Sequence, residues 1–556
     1  MSPRAAHNGW TSTADEFDDL LTTVHGMLSR YLRESEAGAP VVTPEATDPI
    51  RLASKLQSLH LPDQAEGKHG VLPLIEDTLK YSVRTWIPRF MDKLYAGANP
   101  IGVIAELITA VLNTNVHVFH VSPVFTLQEI KVMQTLSEML GFRDGGGVLC
   151  PGGSYSNLTA IVTARNILFP YMKTDGLLAP PPVSLDMLSP RARAYPYHHL
   201  KGPLVVFASM HCHYSIHKSA MAAGIGLKHV RGTPVDHAGR MDPVALEQAI
   251  EQAIRDGERP FVVCATAGTT VLGAFDPVDK IAAVCKKYGL WLHVDGSWGG
   301  AVMFSDTLKA KLLRGIEEAD SVTMNPHKML GVPLICSALI TKEKLVLVEA
   351  NHVKASYLFH EENESSDVLD LAEGTLGCGR RSDVLKFVLS WVYYGKDGFA
   401  KRVELAMQNA EYLKRCIEER QLKATGGWEL VFGETDYSNV CFYYYPPVKG
   451  VDTLKYYQQL RVKDPELYSK TVERITKSIH AELTRRGRFM VDYSPIEMPA
   501  GFQVGQTSLS KVSNNGVVRL PPFWRAILNN PDITHEDLNG LLDEIEGIGC
   551  TLFKQE

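Results

Sequence analysis

The chain lacks a strong excess of either charge. Its 57 lysines and arginines stand against 63 aspartates and glutamates, a formal net charge of −6, so it has no basic surplus to attract nucleic acid or an anionic membrane surface. No apolar run reaches the roughly 18–20 residues that span a bilayer. The stretch from Met1 to Asp19 contains Arg4 but no hydrophobic core of a secretory leader, which argues against export. Cysteine is sparse and scattered: nine residues, an odd number, with no C-x-x-C pair. Cys212 and Cys378 have histidine or arginine nearby, but the spacing fits neither a disulfide framework nor a metal site. These absences lead to the expectation of a cytoplasmic chain with reduced thiols and small-molecule partners, without nucleic acid, membrane or metal. What is present is ordinary for a globular protein: 45% hydrophobic and 22% charged over 556 residues. That length is several domains' worth, so one large domain with smaller flanking ones is expected.

The first forty-five residues are polar apart from Phe17 to Tyr31, where Leu20, Leu21, Val24 and Leu28 recur at helical spacing, as in a packing arm or a frayed tail. Helical patterns dominate from Val71 to Phe142, broken by Pro88, Pro100 and Pro123. Then short apolar runs, Leu204–Phe207, Phe261–Cys264 and Leu290–Val294, alternate with helical segments such as Pro243–Ile254 and Pro277–Tyr288. Such runs suit strands buried on both faces of a mostly parallel sheet in an α/β domain. The proline-rich stretch from Thr174 to Pro203 reads as a surface excursion. A long helical stretch begins near Asp383, and Gly426 to Glu556 alternates strand and helix patterns, as in a smaller α/β lobe. The expected division is an N-terminal helical segment and dimer arm (1–110), a large domain (111–400) and a small C-terminal domain (401–556).

The chemistry concentrates in the large domain. Asn325-Pro326-His327-Lys328 follows His293-Val294-Asp295 by thirty-three residues, measured from Asp295 to Lys328. The pair supplies an amine able to hold an aldehyde as an imine and a carboxylate at the end of an apolar strand. Those are the groups that pyridoxal 5'-phosphate (PLP) requires, because its pyridine nitrogen needs an anion to stay protonated. Pro151-Gly152-Gly153-Ser154-Tyr155-Ser156-Asn157 opens a helix; alone it is a common cap, but beside Lys328 it reads as a phosphate cradle. His213 follows the Leu204–Phe207 strand, at the sheet edge where open α/β folds place ligands, and its imidazole suits stacking on a pyridine ring. Thr266-Ala267-Gly268-Thr269-Thr270 follows the next strand and brings hydroxyls to the same crevice.

With these motifs stand several longer matches: Asn113-Thr114-Asn115 to Pro123-Val124-Phe125, Ala265 to Pro277, Leu290 to Gly300, Ser321 to Met329, Ala355-Ser356-Tyr357-Leu358-Phe359, Cys378-Gly379-Arg380-Arg381 and Phe523-Trp524-Arg525. On them the chain resembles, from about Leu72 to Phe553, the group II PLP-dependent amino-acid decarboxylases. The likeness is to the animal-type branch, which holds glutamate decarboxylase, cysteine sulfinate decarboxylase and the aspartate decarboxylase of insects. The resemblance implies an aspartate aminotransferase-like (fold type I) large domain with a mostly parallel seven-stranded sheet. It implies Lys328 as the cofactor's amine, Asp295 at the ring nitrogen and His213 on the ring. Gly153, Ser154, Thr266, Asn325 and His327 would lie around the cofactor and its phosphate. Arg525 would grip the substrate α-carboxylate with its bidentate fork. Tyr357 would lie on a loop that crosses to the neighbouring subunit of a homodimer, where it would protonate the substrate Cα. Loop closure excludes water and suppresses aldehyde formation.

The side-chain pocket departs from the relatives. Lys93 stands where glutamate decarboxylases have glutamine, Tyr95 where they have serine, and His117, close to Asn115, where they have phenylalanine. Lys93 and His117 add positive charge for an acidic substrate, and Tyr95 shortens the pocket. That combination favours L-aspartate, going to β-alanine, over glutamate or cysteine sulfinate, although one methylene discriminates by only about 1–3 kcal/mol. An aldehyde-forming decarboxylase and an inactive dimeric scaffold are the rival readings. Gly296-Ser297 replaces the usual Ala-Ala, and Gly377 replaces a glutamine; both are expected to loosen the cofactor's seat.

Overall fold

The computed structural model describes residues 12–56, 59, 61–355, 369–422, 427–434, 436–505, 507–508 and 516–553. The first strand, β1 (Phe90–Met91), belongs to a sheet completed near the C-terminus, whereas the next seven make the large sheet. These are β2 (Gly146–Cys150), β3 (Leu204–Ser209), β4 (Val230–Thr233), β5 (Arg259–Thr266), β6 (Trp291–Gly296), β7 (Ser321–Met324) and β8 (Ser337–Thr341). Their order is β2-β8-β7-β6-β5-β3-β4. Only β8 runs against its neighbours; every other pairing in the sheet is parallel. This is the mostly parallel, seven-stranded α/β sheet expected.

The apolar runs become strands because both faces are covered. Along β3, Val205 and Phe207 enter one core while Leu204, Val206 and Ala208 enter the core on the opposite face, the alternation a pleated strand imposes. Leu292 and Val294 of β6 join the first core and Trp291 the second. Each fully buried side chain of this size contributes about 1.5–3 kcal/mol.

A second sheet combines β1 with β9 (Gly427–Leu430), β10 (Asn439–Tyr445), β11 (Met490–Pro499) and β14 (Val517–Ile527), in the order β1-β11-β14-β10-β9. A short ribbon, β12 (Gln503–Val504) with β13 (Thr507–Ser508), stands beside it. Since β1 pairs with Met490 and Val491, the N-terminal segment is woven into this smaller unit. The helix Val384–Gln421 ties the two units: Val384, Phe387, Phe399 and Val403 pack in the large core, and Ala410, Leu413 and Ile417 in the small one. It therefore runs through residue 400, where the two domains were expected to part, and its one non-helical residue is Gly395, at φ 70°.

The stretch from Thr174 to Pro203 is not simply a surface excursion. Ala192, Tyr195 and His198 are buried; Tyr195 stacks edge-on against Phe169 and donates its hydroxyl to the Pro260 carbonyl at 2.8 Å. Among the described residues no helix is long and apolar enough to cross a membrane.

Candidate active site

The C-terminal ends of β3, β5, β6 and β7 meet at one crevice, the position where open parallel sheets present their ligands. One cavity there is lined by Gly153, Ser154, Asn157, His213, Thr266, Asp295, Ser297, Asn325, His327 and Lys328, with Gly268, Thr270 and Trp298 completing the wall. All eight residues expected around the cofactor therefore converge, although up to 175 residues separate them along the chain.

The glycine-rich loop enters the helix Gly153–Leu168 through Gly152 at φ 100°, a conformation that favours glycine. A Cβ on Gly153 would lie 2.5 Å from Ser297 Oγ and 2.9 Å from Asn325 Nδ2. The bare Cα leaves a cradle against which the helix's first N–H groups open, the usual arrangement for an anion. Asn325 is steadied by the Ser337 hydroxyl at 2.6 Å, and the His327 ring is held against the Cys336 backbone through Nδ1.

Burial holds the Lys328 ammonium below the usual lysine range, with Asp295 acting in the opposite direction. Burial would push Asp295 up, but Ser297, Lys328 and Asn157 outweigh it, and its carboxyl is held below the ordinary value. Asn157 Nδ2 donates to one carboxylate oxygen at 2.8 Å and the Ser297 backbone N–H to the other at 3.0 Å. A buried amine whose charged form is disfavoured, a buried carboxylate kept charged and a helix-N-terminal cradle match the aldehyde, ring nitrogen and phosphate of PLP, so the residues present fit that group. Burial also lowers the pKa of His213; its Nδ1 lies 2.8 Å from Ser215 Oγ and receives the Ser215 backbone N–H at 3.2 Å.

The substrate residues are arranged less simply. Arg525, 6% exposed, reaches the cavity wall by donating to the Thr270 carbonyl at 3.2 Å. Its other arm donates to Asp492 at 2.9 Å and to the Asp92 carbonyl at 3.2 Å. Its Nε is buried with no hydrogen-bond partner among the described residues. Lys93 is not a free charge: its ammonium sits 2.8 Å from Asp492 and 3.3 Å from Asp92. Tyr95 packs on Phe90 with ring centroids 5.9 Å apart. None of Lys93, Tyr95, Asn115 and His117 lines this cavity. Asn115 Oδ1 accepts the Arg380 backbone N–H at 2.8 Å, and His117 Nδ1 lies 3.1 Å from the Asn115 carbonyl. Arg380 is in turn ion-paired with buried Glu129, which receives the N–H of Leu149 in β2. Tyr357 lies outside the described residues.

Sequence reasoning passed over Asn157, Ser215, Ser297 and Asp492. Asn157 and Ser297 lay inside strings already singled out and Ser215 two residues past His213, but nothing local said which polar side chain turns inward. Gly296 also reads differently in three dimensions. A Cβ there would meet the Thr323 carbonyl oxygen at 2.8 Å and Gly300 Cα at 3.2 Å, so the glycine permits a close strand contact and leaves no gap. Neighbouring Ser297 adds a hydroxyl to the cavity and helps hold Asp295 charged. A Cβ on Gly377 would face the Tyr155 hydroxyl at 3.1 Å.

The family model described as the pyridoxal-dependent decarboxylase conserved domain matches residues 49–445. An L-aspartate decarboxylase of Metarhizium robertsii is 38% identical over 502 residues, covering 87% of this chain and 91% of that protein. The acidic amino acid decarboxylase GADL1 of Homo sapiens is 36% identical, covering 90% and 85%. Among solved structures, mouse CSAD superposes with a TM-score of 0.80 at 34% identity over 97% of this chain and 99% of that one.

Proposed function

The chain belongs to the pyridoxal-dependent decarboxylase family, and from that premise we propose that it removes the α-carboxylate of a small acidic L-amino acid, L-aspartate above all, giving β-alanine and carbon dioxide. The observation that carries the reaction is the convergence of Lys328, charged Asp295 and His213 on one cavity, with Arg525 at its wall. The acidic character rests on the relatives, which are named for acidic substrates, and aspartate on the Metarhizium robertsii relative named for it, with the sequence departure at Tyr95 pointing the same way.

The family's cofactor is pyridoxal 5'-phosphate, and when bound it supplies an electron sink for the pair left behind as carbon dioxide departs. Lys328 holds it through its amine, Asp295 keeps the ring nitrogen protonated, and the Gly153–Ser154 cradle with His327 receives the phosphate. Arg525 grips the substrate carboxylate and, with His213, sets which bond at Cα stands ready to break. Tyr357 delivers the proton to Cα. Lys93 shares Asp492 with Arg525 and so helps hold that guanidinium in place.

A homodimer is part of this proposal. The helix Pro100–Leu112 leaves Val103, Ile104, Ile108, Val111 and Leu112 exposed, and Val124 and Leu127 at the start of the next α-helix are exposed as well. An uncovered apolar face of that extent suits a subunit interface. Asn115 and His117 follow this helix directly, so pairing of two chains would carry them toward the partner's cavity.

Steady-state kinetics on L-aspartate, L-glutamate and L-cysteine sulfinate, with ammonia and hydrogen peroxide measured beside carbon dioxide, test the proposal. It expects the highest kcat/KM for aspartate with neither by-product. Turnover of aromatic amino acids alone would overturn it.

A further inference from the structure

The polar side chains behind the cavity form one hydrogen-bonded line with a single direction. Trp291 Nε1 donates to Ser321 Oγ at 3.0 Å, and Ser321 Oγ lies 2.9 Å from His293 Nδ1. His293 Nε2 lies 3.0 Å from Asn157 Oδ1. Asn157 Nδ2 then branches, donating to Asp295 at 2.8 Å and to Ser215 Oγ at 2.9 Å, and Ser215 Oγ lies 2.8 Å from His213 Nδ1.

Chemistry at the ends sets the direction. An indole N–H only donates and a carboxylate only accepts. Asp295 must therefore face the nitrogen of the Asn157 amide, which turns the amide oxygen to His293 and requires a proton on His293 Nε2. Neutral His293 has a bare Nδ1 that accepts the Ser321 hydroxyl, whose oxygen takes the indole N–H. The second amide hydrogen goes to Ser215 Oγ, and the Ser215 proton goes to His213 Nδ1, which leaves the proton of His213 on Nε2. Trp291, Ser321, His293, Asn157 and Ser215 are each at most 1% exposed, so the protein alone makes the pattern. Burial pushes the His293 pKa down to about 4, in keeping with the neutral ring that the line requires.

We propose that Asn157 is a positioning residue at the branch of this line: one amide both supports the charge on Asp295 and fixes the tautomer of His213, with His293 and Ser321 holding that amide in its orientation. The inference rests on the reading that Asp295 pairs with the cofactor's ring nitrogen and His213 lies on its ring.

The test uses holoenzyme loaded with PLP labelled with 15N in the ring, Asn157→Ala and Ser321→Ala variants, and two readouts apart from activity: the 15N shift of the ring nitrogen and the PLP dissociation constant. The parent is expected to show a protonated ring nitrogen. Asn157→Ala is expected to move the shift toward the unprotonated value and to weaken PLP binding on the order of tenfold, the size of one hydrogen bond to a charged group. Ser321→Ala, a small change remote from the cavity, moves both readouts in the same direction by less, because His293 is then free to exchange tautomers. Should Asn157→Ala not fold, Ser321→Ala alone decides. A protonated parent with both readouts unchanged in the variants overturns the proposal by itself. An unprotonated parent overturns the Asp295 pairing and the proposal with it.

Discussion

Asp295→Asn separates holding the cofactor from holding the fold. Asp295 is 5% exposed and accepts one hydrogen bond on each oxygen, from Asn157 and from the Ser297 backbone. An amide keeps the shape and one acceptor, so one of the two buried donors is stranded, at a cost on the order of 1–3 kcal/mol of fold stability. The larger effect falls on the cofactor. The ring nitrogen loses an anionic partner, and a hydrogen bond of that charged kind contributes about 1.5–3 kcal/mol. The PLP dissociation constant should therefore rise roughly 10- to 150-fold. At saturating PLP, kcat should still fall, because an unprotonated ring is a weaker electron sink. Titration of apo-protein with PLP, followed by the visible absorbance of the bound form, gives the first quantity, and labelled carbon dioxide release gives the second. A variant within twofold of the parent in both would refute the assignment of Asp295.

Three further outcomes follow from the geometry. Arg525→Lys keeps the charge but loses the fork that spans Thr270 and Asp492; KM for the amino acid should rise tenfold or more while the spectrum of bound PLP is unchanged, and an altered spectrum would place the arginine on the cofactor. Gly153→Ala sets a methyl 2.5 Å from Ser297 Oγ, and overpacking of that kind costs about 1–3 kcal/mol; PLP affinity should drop roughly 5- to 150-fold and recover partly in a Gly153→Ala, Ser297→Ala double variant. The rate at which apo-protein takes up PLP should rise with pH as the Lys328 amine is deprotonated. Because burial holds that amine below 10.5, the profile should level off before 10.5, and a rate still climbing through that pH would contradict the depressed lysine.

Much of the large domain was legible because strands buried on both faces read as unbroken apolar runs, as in Leu204–Phe207 and Leu290–Val294. Asp295 and His213 were legible for a related reason: each follows such a run, and chain order in a parallel sheet puts the ends of successive strands on one edge; Lys328 was legible from its own Asn-Pro-His-Lys string at a fixed distance from Asp295. What escaped notice depended on contacts that cross the chain. Lys93 reads as a spare cation until Asp492, 399 residues away, is seen against it. Asn157 is one polar residue on a helix until the fold sets it between Asp295 and His293, 138 and 136 residues on. The proline content of Thr174–Pro203 suggested exposure, yet a single hydrogen bond from Tyr195 and its contact with Phe169 draw part of that segment inward.

The central claim concerns the side chain of Lys328. Reduction of the PLP-loaded protein with borohydride, followed by peptide mapping, should place one pyridoxyl group per chain on that residue, with loss of activity. Label on a different lysine, or an unlabelled Lys328 in a protein that still releases carbon dioxide, would contradict it.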